Sequence, residues 1–258
     1  MEFGLSARVM SSTAFLPISE KEYEEIAEAK AGLLEALFVE EKFDLVVENY
    51  LELELCFLES TTKNMVLGNQ DYQWFQVQRN LFNRRLVNLL SACRSYVDYS
   101  KQHIQTMLPK DENAVERIKS AFSSHYDSCL GYRVMEALRN FVQHRGFPIH
   151  AASYNAEWNR KDEESQSIYG LSIYTKTIYL REDEEFKKSV LEELERLGGR
   201  VNIKPLIRDY VGALSDVHVG LFERDDQAIR GDVGPRCLRN YGSSRITVGL
   251  FLHSALTE

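Results

Sequence analysis

Apolar residues recur every three or four positions through the first 146 residues, the period of a helix with one buried stripe. Ser19 with Glu22 forms a capping box, and Ile18 ahead of Tyr23 forms a hydrophobic staple. These predict a first helix over 19–38, with Tyr23, Ile26, Leu33, Leu34 and Leu37 inward. A second is predicted over 41–59, with Phe43, Val46, Val47, Tyr50, Leu51, Leu55 and Leu58 inward. The stretch 68–71 (Gly-Asn-Gln-Asp) reads as a turn. A long helix then follows to Leu108, where Pro109 stops it. The next starts in the polar run 110–113, carries Val115, Ile118, Phe122, Tyr126, Leu130, Val134, Leu138 and Phe141, and is stopped by Gly146 and Pro148. Short connections between four such helices predict an up-down bundle with the last two antiparallel. In that topology the end of the fourth helix lies near the start of the third, within reach of Arg79.

After Pro148 the period changes from 3.6 to two. Residues 149–158 and 167–180 are rich in Tyr, Ile and Thr and flank a charged turn, 159–165. This predicts an antiparallel hairpin over 149–180 whose Tyr169, Leu171, Ile173 and Thr175 face is the more apolar. A hairpin alone is marginal, so it must pack on the bundle or on a second subunit. Two helices follow, over 184–197 and over 204–223, the latter with Pro205 in its first turn. The expected fold is therefore mainly α: a helical bundle with a β-hairpin and additional C-terminal helices, one domain over 19–224. Residues 1–18 are expected to be a loose lead-in. Residues 225–258 are expected to be an irregular tail in which 246–252 could dock as a strand.

Composition is that of a globular protein, and no apolar run approaches the roughly 18 residues that span a bilayer. Met1 to Pro17 lacks a basic region followed by an apolar one, so a cytoplasmic location is expected. Cys56, Cys93, Cys129 and Cys237 are widely spaced and form no Cys-x-x-Cys, arguing against zinc. No His is preceded by Glu at three residues, which excludes the Glu-x-x-His pairs of a di-iron bundle. Phosphate-loop, nucleophile-elbow and zinc-protease motifs are lacking as well, so no cofactor is expected. The net charge of −8 argues against a broad sequence-independent nucleic-acid surface. The charge is uneven: residues 19–59 hold 13 acids and 3 bases, whereas 78–101 hold 5 bases and 1 acid. Mutual attraction of these helices is the simplest account.

The chemistry concentrates in 137–146, Ala-Leu-Arg-Asn-Phe-Val-Gln-His-Arg-Gly. At about 100° per residue Asn140 and His144 share one helix face, and the long Arg139 stem can swing to it. Imidazole can pass a proton near neutrality, and a guanidinium fork matches two phosphate oxygens. Arg139 followed by Asn140, with His144 five positions beyond the Arg, resembles the HEPN family, whose motif is Arg, four to six residues, then His. The resemblance covers 19–146. It implies a helical bundle working as a homodimer, with two motifs facing each other across one cleft. Many members are metal-independent ribonucleases of toxin–antitoxin pairs or antiviral systems. On that resemblance Arg139, Asn140 and His144 are the expected catalytic residues. Arg139 would hold the phosphate, Asn140 would orient His144, and His144 would move the proton. Arg145, Arg79 and His150 are the expected substrate-binding residues, RNA the expected substrate and an antitoxin a further expected partner. Gly146 stands where some HEPN toxins carry Tyr. The competing reading is a catalytically silent interaction module in which Arg139 pairs with Glu136 and His144 interacts with the helix dipole.

Overall fold

In a computed structural model of the chain, residues 2–9, 12–68, 71–109, 111–161, 164–229 and 252–255 are described. The capping box forms as its sequence requires: the Glu22 N–H donates to the Ser19 hydroxyl at 3.2 Å, and the Ser19 N–H donates to the Glu22 carboxylate at 2.8 Å. The helix it starts, α1 (Glu20–Leu67), does not end near Phe38 but runs 48 residues, about 72 Å at 1.5 Å per residue. The two helices expected there are one. No proline interrupts the stretch, and the buried positions Gly32, Val39, Val46, Leu53 and Ser60 recur every seven residues across the expected break. The second helix, α2 (Tyr72–Met107), answers with Phe82, Leu86, Leu89, Cys93, Tyr96, Ser100, Ile104 and Met107 at steps of three or four. Ser60 bonds Gln78, Glu52 pairs with Arg85 and Glu35 accepts from Tyr99, so the two helices run antiparallel as a coiled pair. The acidic helix thus lies along the basic one.

Of the expected inward stripe of α1, Val46 is buried and Phe43 and Tyr50 pack on the core, but this register turns its leucines outward. Leu33, Leu51, Leu55 and Leu58 are 58%, 48%, 53% and 62% exposed, and Leu34, Leu37 and Val47 also face outward. Leucine number misled where the seven-residue recurrence of smaller residues decides.

The fourth expected helix is two, α3 (Ala114–Ser128) and α4 (Leu130–His144). Cys129 is extended between them and its sulfur accepts the Tyr132 N–H. Arg133 donates back to the terminal carbonyls of Tyr126 and Asp127, at 3.0 and 2.5 Å. The break redirects α4 onto a C-terminal helix, α7 (Lys204–Ile229). Contact there is so close that a Cβ on Gly131 would stand 2.4 Å from the Leu206 carbonyl oxygen. His218 of α7 is buried, stacked 3.8 Å from Phe43 and 3.2 Å from the Tyr96 hydroxyl, as a core histidine.

The hairpin is present as β3 (Ala151–Lys161) and β4 (Glu164–Lys176), with Ala151 opposite Tyr174. Of its expected apolar face Leu171, Ile173 and Thr175 are buried, whereas Tyr169, nearer the turn, is exposed. It packs on the bundle through Tyr154, whose hydroxyl lies 2.6 Å from Ser60 and whose ring meets Trp74. The second strand stops four residues before the expected end, where a short helix α5 (Thr177–Arg181) begins. After α6 (Lys188–Leu197), a three-residue strand β5 (Arg200–Asn202) joins β4. Residues 1–18 are not a loose lead-in: β1 (Glu2–Val9) and β2 (Ser12–Ile18) pair antiparallel. The expected tail supplies β6 (Leu252–Ala255), which pairs with β1; residues 246–251 lie outside the described residues. The fold is mainly α, with seven helices among the described residues.

Candidate functional site

The end of α4 is fixed by its apolar side. Val134, Leu138 and Phe141 are buried, and Tyr132 packs edge-on against Tyr210 of α7. The helix closes with the N–H groups of Arg145 and Gly146 both donating to the Phe141 carbonyl. The other side carries Arg139, Asn140, Gln143 and His144 into a cleft of about 430 Å³, bounded by Tyr126, Phe186, Lys187 and the carboxylates of Glu136, Asp183 and Glu185. The three expected catalytic residues therefore open onto one concavity. Arg139 is half-buried and donates to the Asn140 side-chain oxygen at 3.2 Å. Among the described residues no carboxylate pairs with it. Glu136, the acid next to it on the helix, instead accepts from Tyr210 at 2.8 Å and faces Arg94 at 3.6 Å. His144 is exposed, with no hydrogen-bond partner among the described residues. Asn140 thus holds Arg139 and not His144, which corrects the expected role. A second cation enters the cleft from the segment before α6: Lys187 donates to the Tyr126 hydroxyl at 2.5 Å and sits 4.8 Å over its ring.

Arg79, Arg145 and His150 do not join that cleft. They line a neighbouring one of about 440 Å³ with Phe147, Tyr179 and Glu182, and the two clefts share Phe141 and Asp183 as walls. Arg79 does reach the end of the expected fourth helix, at Phe141, Arg145 and Gly146, but it opens onto this second cleft and not onto that of Arg139, Asn140 and His144. Asn83, one turn along α2, makes both bonds of a strand edge with Ile149, accepting its N–H and donating to its carbonyl, each at 2.9 Å. It also donates to the Arg79 carbonyl at 3.1 Å. That anchor sets His150 beside Arg79.

His150 is pinned in one tautomer. The Lys176 backbone N–H donates to its Nδ1 at 3.0 Å, which leaves the ring proton on Nε2. Burial, helped by the charges of Lys176 and Arg79, lowers its pKa from 6.5 to about 4. The ring is neutral at pH 7 and lies 4.7 Å from that of Tyr179. Arg145 is tied at 2.9 Å to the buried carboxylate of Asp183, which also accepts the Glu185 N–H.

Asp183, Lys187, Tyr126, Tyr179, Phe147 and Asn83 escaped the reading of the sequence. A polar Asn on the buried stripe of α2 was the one available signal. The others are brought in by long-range packing that leaves no spacing to read. Among the described residues no three His, Cys, Asp or Glu side chains converge as metal ligands. Nor is any described helix long and apolar enough to cross a membrane. Comparison with protein-family models, with curated proteins and with solved structures gives no match.

Proposed function

We propose that the α4 cleft is the active site of a metal-independent, HEPN-like endoribonuclease. One observation carries this reading: a guanidinium with no carboxylate partner among the described residues and an exposed imidazole open onto the same cleft at one helix end. Cleavage needs little more. The ribose 2′-oxygen attacks phosphorus while its proton passes to His144, and the bond to the 5′-oxygen breaks with that oxygen taking up a proton. The products are a 2′,3′-cyclic phosphate and a 5′-hydroxyl end. Arg139, steadied by Asn140, would hold the non-bridging oxygens and stabilise their added charge. DNA lacks the attacking hydroxyl and is not a substrate. One imidazole performs one transfer at a time, so the second proton comes from Lys187 or Tyr126, or from His144 of a second copy in the homodimer that the family resemblance implies. A place in a toxin–antitoxin pair or an antiviral system, in the cytoplasm, completes the proposal.

RNA cleavage in EDTA by the purified protein tests it. Wild type cleaves, and His144→Ala and Arg139→Ala each lose at least about 100-fold while remaining folded. No chelator-resistant cleavage, or cleavage untouched by both substitutions, overturns the ribonuclease.

A second reading, a silent self-association module, is favoured by α1. Leu51, Leu58 and Met65 recur at seven residues on its outer side with Leu55 between them, all more than two-fifths exposed. Antiparallel pairing of two copies about Leu58 sets Leu51 against Met65, matching apolar positions. Leu55→Gln with Leu58→Gln would then convert a dimer to a monomer by light scattering, and an unchanged mass would exclude this face.

A further inference from the structure

We propose that the second cleft is a ribonucleotide subsite holding one nucleotide next to the cleaved bond, with its phosphate on Arg79 and His150 and its base against Tyr179 and Phe147. The identity of the ligand rests on the ribonuclease reading; the recognition chemistry does not.

Arg79 is half-buried, and among the described residues no carboxylate pairs with it. A guanidinium in a partly desolvated cleft favours an anion, and phosphate suits its fork. His150 adds a fixed donor. With Nδ1 occupied by the Lys176 N–H, the ring can offer only its Nε2–H, and it offers it neutral. Two aromatic side chains open onto the same cleft, Tyr179 at 43% and Phe147 at 57% exposure. Exposed rings beside a cation are a stacking platform, worth about 1–3 kcal/mol per base. The carboxylates limit what else can bind. Asp183 is engaged by Arg145, but Glu182 is held by no cation among the described residues. That charge opposes a run of phosphates and suits a single nucleotide. The volume, about 440 Å³, is that of a small-ligand site. The shared walls Phe141 and Asp183 place it next to the cleft where the bond would break.

The test is fluorescence anisotropy of the full chain with labelled 2′-O-methyl hexaadenylate and hexauridylate, which bind without being cut. Arg79→Gln should weaken binding about tenfold and lower the salt slope by about one phosphate contact. Tyr179→Ala should weaken it about fivefold or more, and Tyr179→Phe should restore it, which separates stacking from folding. Binding within twofold of wild type by both Arg79→Gln and Tyr179→Ala, or no binding of either oligonucleotide by wild type, overturns the subsite. The two proposals fail separately. Oligonucleotide binding that depends on Arg79, without cleavage, sinks the ribonuclease and keeps the subsite. Cleavage that depends on His144, with binding indifferent to Arg79, does the reverse.

Discussion

The two clefts share Phe141 and Asp183, and each holds arginine and histidine, yet their surroundings give these residues opposite roles. His144 ends a helix, exposed and without a hydrogen-bond partner among the described residues. His150 follows the Asn83 anchor, with Nδ1 committed and its pKa depressed to about 4. The arginines differ in the same way. Arg139 donates to the neutral side chain of Asn140 and pairs with no carboxylate among the described residues, whereas Arg145 is tied to a buried carboxylate. Residue type alone would have pooled all four into one site. Burial and hydrogen bonding separate a cleft suited to moving protons from one suited to holding a fixed donor and a charge.

The strongest way to break this contrast is to remove the imidazoles one at a time. His144→Ala should lower kcat of RNA cleavage by about 100-fold or more. His150→Gln, whose amide keeps a donor, should change kcat less than about threefold and act on KM, because the ring it replaces moves no proton. Equal losses of kcat would merge the two clefts into one catalytic site.

The next effect sharpens the contrast through the anchor. Asn83→Ala leaves the Ile149 N–H and carbonyl without their buried partners, at a cost of about 2–3 kcal/mol. Thermal unfolding should shift down by about 4–12 °C for a chain of this size. Oligonucleotide affinity should fall with it, while the kcat carried by the α4 cleft survives below the melting range. A loss of kcat as large as that of His144→Ala would show that the hairpin also shapes the first cleft.

How much of this was legible in the sequence depends on the range of the interaction. The capping box, the stop at Pro109 and the period-two faces of 170–176 are local, and each appears where the residues place it. The motif at 139–144 was legible because one helix turn carries it. The continuity of α1 was encoded too, in Gly32, Val39, Val46, Leu53 and Ser60, but Leu51, Leu55 and Leu58 offered a louder second stripe. Only the partner helix decides between two stripes. The break at Cys129 depends on how closely Gly131 meets Leu206, a contact made across more than seventy residues. The division of the expected site was least legible of all. It follows from Asn83 hooking Ile149 and from Arg145 finding Asp183, pairs 66 and 38 residues apart.

The smallest expected effect is on pH dependence, and it probes the second cleft without any substrate. Because the His150 pKa is depressed in the folded chain, the unfolded chain takes up the proton first as pH falls. The contribution of the neutral ring is therefore complete above about pH 6.5 and is lost progressively as pH drops toward about 4. Arg79 and Lys176 face the ring and oppose its charging, and the Lys176 N–H has no other acceptor if Nδ1 is protonated. Partial exposure limits the size to about 1–2 kcal/mol, below the full linkage value. Many carboxylates titrate in the same window, so the measurement is the difference between urea unfolding of wild type and of His150→Gln at pH 7.0 and pH 4.5. Wild type should lose about 1–2 kcal/mol more than the variant on acidification. Parallel losses would mean that burial and the two facing cations do not hold the ring neutral in the folded chain, and the contrast between the clefts would lose its electrostatic half.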